Sequence, residues 1–190
     1  MDRYVLRYLI VSLIYFLSAA ASAQPIAQHF PAHAFSELPS GQSSCTRADS
    51  LIGLAYDCGV NQGIQFSGVS FPWPVSGAGT FYLYASNQST TGGACVNVEV
   101  IAFPPGSNIY NHTSAVTRAA FKLSYAPEST TSTRIMRIAS LSSFLTSTSL
   151  AGNPFTIKLT RVPCTTAGCS CGTSNDSSNF RIYMAKIQYQ

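Results

Sequence analysis

The chain has 190 residues, of which 46% are hydrophobic and only 9% charged, with 11 basic against 7 acidic residues and a formal net charge of +4. Charge this sparse, spread along the whole length, excludes the clustered basic surface that nucleic-acid binding requires. It equally excludes a charge-laced helical bundle, so Ser, Thr, Asn and Gln must solvate the surface.

The first 23 residues read as a cleavable signal peptide. Arg3 and Arg7 precede the apolar stretch Tyr8 to Leu17, which runs into the small residues Ser18 to Ala23. That is the order of a basic n-region, an apolar h-region and an A-x-A cleavage site. A membrane anchor is the competing reading, but about ten strongly apolar residues are too few for a span of roughly 20. Cleavage after Ala23 leaves Gln24 as the new N-terminus and a mature chain with no transmembrane span. The expected location is secreted, extracellular or cell-surface, with the periplasm as an alternative.

Residues 24–44 carry Pro25, Pro31, Pro39 and Gly41 among scattered apolar residues and read as an extended lead-in to a domain spanning 45–190. All six cysteines, Cys45, Cys58, Cys95, Cys164, Cys169 and Cys171, lie in that domain, and export makes disulfides the first expectation. Six thiols allow 15 pairings. Cys45 is expected to pair with Cys58 across a short loop, and Cys95 to be tied into the segment Pro163 to Gly172. Cys169 and Cys171 sit too close together to bond each other without strain. A four-sulfur metal site is the rival, but the paired C-x2-C spacing is missing.

Strand signals dominate the domain, at Leu51 to Tyr56, Gly63 to Phe71, Thr80 to Ser86, Cys95 to Phe103, Ala119 to Tyr125, Arg134 to Ile138, Phe155 to Val162 and Phe180 to Tyr189. In CVNVEVIAF the residues Val96, Val98, Val100 and Ala102 share one face while Asn97 and Glu99 share the other, the period-two mark of a half-buried strand. Phe155, Ile157 and Leu159 alternate likewise, as do Phe81, Leu83 and Ala85. No segment sustains helical spacing over three turns. The fold class expected is all-β, an antiparallel two-sheet sandwich, jelly-roll-like. A membrane barrel would need strands of roughly ten residues with one lipid-compatible face, which the charges at Lys122, Arg134 and Arg137 oppose.

The order of landmarks, from Gln65 to Ser86 (QFSGVSFPWPVSGAGTFYLYAS), through CVNVEVIAF and FTIKLTRV, to Asn175-Asp176 and the last strand, resembles jelly-roll domains of phage tail appendages and of uncharacterised exported microbial surface proteins. The resemblance covers the chain from about Phe35 onward. It implies a non-enzymatic attachment or structural role through self-association, as a homotrimer. The signal peptide and the cysteines depart from a phage particle protein and favour a secreted or cell-surface counterpart.

No catalytic constellation stands out. His29 and His33 are spaced to share a helix face, with Glu37 the nearest third ligand, but Pro31 between them opposes that helix, so no metal is expected. A G-x-S-x-G elbow is absent. Glu99 and Asp57 could in principle serve a glycosidase, although a salt bridge to a neighbouring base is the simpler expectation for each. No cofactor motif occurs. Binding needs no motif, and Trp73, Tyr82, Tyr84 and Tyr110 are the candidate glycan-stacking residues, with Tyr125, Tyr183 and Tyr189 further aromatics. Trp73 lies between Pro72 and Pro74, with plugging the end of the core as its plainer role. Three N-x-S/T sequons, at Asn87, Asn111 and Asn175, fall in expected loops. The sequence therefore points first to a structural or attachment protein working by self-association, and second to a carbohydrate-binding β-sandwich module using exposed aromatics.

Overall fold

A computed structural model of the protein describes residues 26–39, 41–70, 78–87, 92–103, 118–126, 136–146, 154–172 and 180–189. Residues 1–23, the expected signal peptide, and Trp73, Tyr110, Asn111 and Asn175 lie outside the described residues. Alternating apolar side chains can bury only one face of a strand, and among the described residues eleven strands solve this by stacking two antiparallel sheets. They are β1 (Ile26–Pro31), β2 (Ser36–Glu37), β3 (Thr46–Ser50), β4 (Gly53–Cys58), β5 (Gly63–Ser70), β6 (Ala78–Ser86), β7 (Ala94–Ala102), β8 (Arg118–Tyr125), β9 (Arg137–Thr146), β10 (Pro154–Val162) and β11 (Phe180–Tyr189). The first sheet runs β3-β4-β11-β6-β9, with β1 added alongside β11; the second runs β2-β5-β10-β7-β8. The fold is a jelly-roll-like two-sheet sandwich.

The alternation visible in the sequence builds the core. Phe81, Leu83 and Ala85 enter from the first sheet, and Val96, Val98, Val100, Phe155, Ile157 and Leu159 from the second. Aromatic packing fixes the two ends. Phe66 stacks between Phe30 and Phe35 at 5.0 and 4.5 Å, and Tyr125 tilts against Phe180 at 4.8 Å. The Tyr125 hydroxyl, on the second sheet, donates to the Leu83 carbonyl of the first at 2.7 Å.

Within the expected lead-in, the described residues 26–39 and 41–44 do not stand apart from this sandwich. β1 pairs with β11 over six positions, β2 pairs with β5, and Phe30 and Phe35 belong to the core. Prolines kept helix from forming there, as expected, yet Pro31 tolerates the strand because it ends β1, where a ladder donor is no longer needed. β3 was not expected. Its sequence TRADS has no apolar alternation, and it exists as an exposed edge strand registered on β4. The strand expected at Arg134 to Ile138 instead runs from Arg137 to Thr146, since its serines are acceptable on an edge.

Three disulfides join Cys45 to Cys58, Cys95 to Cys169 and Cys164 to Cys171. The last two clamp residues 163–172 over the outer face of the second sheet. There the Ser170 amide donates to Ser124 Oγ at 2.8 Å, and a Cβ on Gly93 would come within 2.2 Å of the Cys171 carbonyl. Only glycine permits this approach. Among the described residues no helix is long and apolar enough to cross a membrane.

Candidate glycan-binding groove

The outward faces of the two sheets differ in kind. On the second sheet, Glu99 meets Lys158 at 3.7 Å, Lys122 Nζ donates to Asn97 Oδ1 at 2.5 Å, and the clamped loop covers the cysteine end. These charged groups are thus satisfied within the protein. The first sheet turns outward the side chains that alternate with its core residues: Tyr82 and Tyr84 from β6, Met184, Lys186 and Gln188 from β11, and Ile138 and Ser140 from β9.

One discontinuity makes this face concave. Along one edge β11 pairs first with β4, through Phe180 to Ile182, and then with β1, through Met184 to Tyr189. The change of partner coincides with a bulge between Ile182 and Met184 against β6. An extra residue at a bulge turns two neighbouring side chains to one side, so Tyr183 and Met184 both face the gap. The result is a groove of ≈ 300 Å³ floored by Tyr84, Tyr183 and Met184, walled by Pro31 to His33 on one side and Ile52 to Leu54 on the other, with Met136 at one end. Its lining is largely apolar. Ile52 is 66% exposed and Met136 47%, so large apolar side chains stand at the rim of an open groove rather than under cover.

Hydrogen bonds hold the floor in place. The Tyr183 hydroxyl and Ser86 Oγ are 2.9 Å apart, which anchors the tyrosine across β11 and β6. Beyond it Arg181 grips Asp57 in a bidentate pair, 2.6 Å from Nε to Oδ1 and 2.7 Å from the terminal nitrogen to Oδ2. Asp57 keeps the Arg181 guanidinium charged, above its ordinary range. The ion pair stitches β4 to β11 at the position where the two strands part.

The aromatic candidates from the sequence divide accordingly. Tyr84 lines the groove. Tyr82 shares its face two residues away, but Lys186 Nζ sits 4.9 Å above its ring centroid, so that ring face is occupied. Tyr125 is core. Tyr183, one of the further aromatics of the sequence, is a floor residue; Met184 beside it was not singled out, because the bulge that turns both outward leaves no mark in an apolar-polar alternation. The carboxylates weighed for catalysis, Asp57 and Glu99, are both in ion pairs. His29 and His33 are exposed on β1 and the 3-10 turn Ala32–Ala34, and no three His, Cys, Asp or Glu side chains converge among the described residues.

No family model matches the chain, and no curated protein matches its sequence. Solved structures do. A xylan-binding module, CBM15, is 10% identical, with 86% of this chain and 96% of that one covered at a TM-score of 0.52. The CBM36-1 domain of a multidomain xylanase from the hindgut metagenome of Trinervitermes trinervoides is 12% identical, with 85% and 96% covered at 0.45. A family 6 carbohydrate-binding module from Clostridium cellulolyticum, in complex with xylose, is 12% identical, with 83% and 94% covered at 0.46. The likeness to the xylan-binding module overturns the first functional expectation. A structural protein working by self-association is not what the chain resembles in three dimensions; the similar folds are carbohydrate-binding modules.

Proposed function

We propose that the protein is an exported, non-catalytic carbohydrate-binding module that holds a glycan in the groove above Tyr84, Tyr183 and Met184. The observation that carries this reading is the groove itself, an open aromatic and thioether floor on one sheet while the opposite sheet is closed by an ion pair, a lysine–asparagine hydrogen bond and a clamped loop. Pyranose and xylose rings present apolar C–H faces that pack on aromatic rings and release water as they do so. Polar edges can then hydrogen-bond at the rim, to the Tyr183 hydroxyl and to backbone groups of the 3-10 turn. A volume of ≈ 300 Å³ stands at the small end of ligand sites, enough for a short stretch of a sugar chain rather than a folded partner. Export is supported by the basic, apolar and small-residue order of residues 1–23 and by the three disulfides.

Xylan, the ligand named for the similar module, is the first glycan to test. Affinity electrophoresis through a gel containing soluble xylan, backed by an array of plant and microbial polysaccharides, is expected to retard the mature protein. Tyr84→Ala is expected to weaken retention about tenfold, a loss of about 1.4 kcal/mol, while circular dichroism stays unchanged. Free migration in every gel and a blank array at millimolar sensitivity would remove the reading.

A further inference from the structure

We infer that the groove continues into a subsite for an anionic group on the glycan, formed by Lys186 and His29 beside Tyr82. The inference rests on the groove reading and adds a chemical class to it, an acidic saccharide bearing a carboxylate or a sulfate.

Cross-strand register places the parts. His29 of β1, Lys186 of β11, Tyr82 of β6 and Ser140 of β9 form one row across the sheet. In the next row, Pro31, Met184, Tyr84 and Ile138, the first three line the groove. Two residues along a strand separate the rows, about 7 Å. A chain lying across Tyr84 therefore brings a substituent over Lys186.

The charge on this row is unbalanced among the described residues. Lys186 contacts the Tyr82 ring, and its ladder partners and their neighbours along the strands, Ala27, His29, Pro31, Thr80, Tyr82, Tyr84, Met184 and Gln188, include no carboxylate. Asp57, on β4, is already taken by Arg181 in two hydrogen bonds. Contrast the second sheet, where Lys158 and Lys122 each have a side-chain acceptor. Tyr82 holds the ammonium in place without neutralising it, because a ring quadrupole attracts a cation while leaving its charge intact. The ammonium is a pre-positioned donor for an oxyanion, and a charge-assisted bond of this kind is stronger than a neutral one. His29, exposed beside it, adds a second donor.

The test measures the mature, oxidised protein by titration calorimetry at low salt against three oligosaccharides of equal length: neutral xylo-oligosaccharide, its uronate-substituted form and a sulfated form. Wild type is expected to bind at least one acidic form about tenfold more tightly than the neutral one, with the preference shrinking as salt is raised. Uronate preference alone identifies a carboxylate ligand, and sulfate preference alone a sulfated one. Lys186→Met, which keeps the stem over Tyr82 but removes the charge, is expected to bring the acidic affinity down to the neutral one, and Lys186→Arg to keep the preference. Equal binding of all three sugars, weakened by Tyr84→Ala, overturns this inference and leaves the groove reading standing. A preference that survives in Lys186→Met also overturns it. Absence of binding to all three overturns this inference, while the groove reading stands or falls on the gels and the polysaccharide array.

Discussion

Tyr125 shows how one side chain joins the two layers. Its hydroxyl donates to the Leu83 carbonyl while its ring is 3% exposed, and burial pushes the phenol well above its ordinary pKa. A folded-state pKa above the unfolded one favours the neutral form, so this contribution is complete below about pH 10 and is lost as the pH rises beyond it. Tyr125→Phe is expected to cost about 1 kcal/mol near neutrality, and urea denaturation above pH 10 should show the gap between wild type and variant narrowing. Asn87 is a second buried polar anchor. As a sequon in an expected loop it looked accessible, yet it is fully buried, and its Nδ2 donates to the Ala126 carbonyl at 3.1 Å. A glycan on that nitrogen is incompatible with the native packing. Asn87→Asp turns a donor aimed at a carbonyl into a buried carboxylate and is expected to destabilise by about 2 to 3 kcal/mol, more than Asn87→Ala, with thermal melts giving the order.

At the scale of elements, what was legible in the sequence is what burial writes into it. The strands around Phe81, Val98, Ile157 and Ile187 each place alternate residues in a common core, so a period of two identifies them. β3 escaped because an edge strand is held by its backbone ladder and has little to bury. β1 escaped because its Pro31 signals only the absence of helix, and β2 because a strand of two residues, Ser36–Glu37, is too short to show a period. The groove was less legible still: Tyr84 was nameable as an outward aromatic, but Tyr183 and Met184 join it through a bulge and a change of strand partner, both of which arise from pairing between distant segments. Gly93 is a similar case. It reads as a turn residue and functions as the floor under residues 163–172, so Gly93→Ala is expected to cost about 1 to 3 kcal/mol by overpacking against backbone. Limited proteolysis should then cut first within that loop.

For the whole molecule, the disulfides distribute constraint unequally. In a chain-entropy picture the stabilisation grows with the length of chain closed, and the bridges close 13, 74 and 7 residues. That corresponds to about 3, 4.5 and 2.5 kcal/mol for Cys45–Cys58, Cys95–Cys169 and Cys164–Cys171. The long bridge is also the one that crosses topology, tying β7 to the loop beyond β10, whereas the other two act within local segments. None of the six cysteines lines the groove. Stability and binding should therefore separate. Replacing Cys95 and Cys169 together by serine is expected to lower the unfolding free energy most, Cys45 and Cys58 less, and Cys164 and Cys171 least, as chemical denaturation of the three double variants would measure. Below its melting temperature each variant should still be retarded by the same glycan gel as wild type. Equal losses across the three pairs would show that native-state packing around residues 163–172, rather than closure of the unfolded chain, sets the contribution of each bridge.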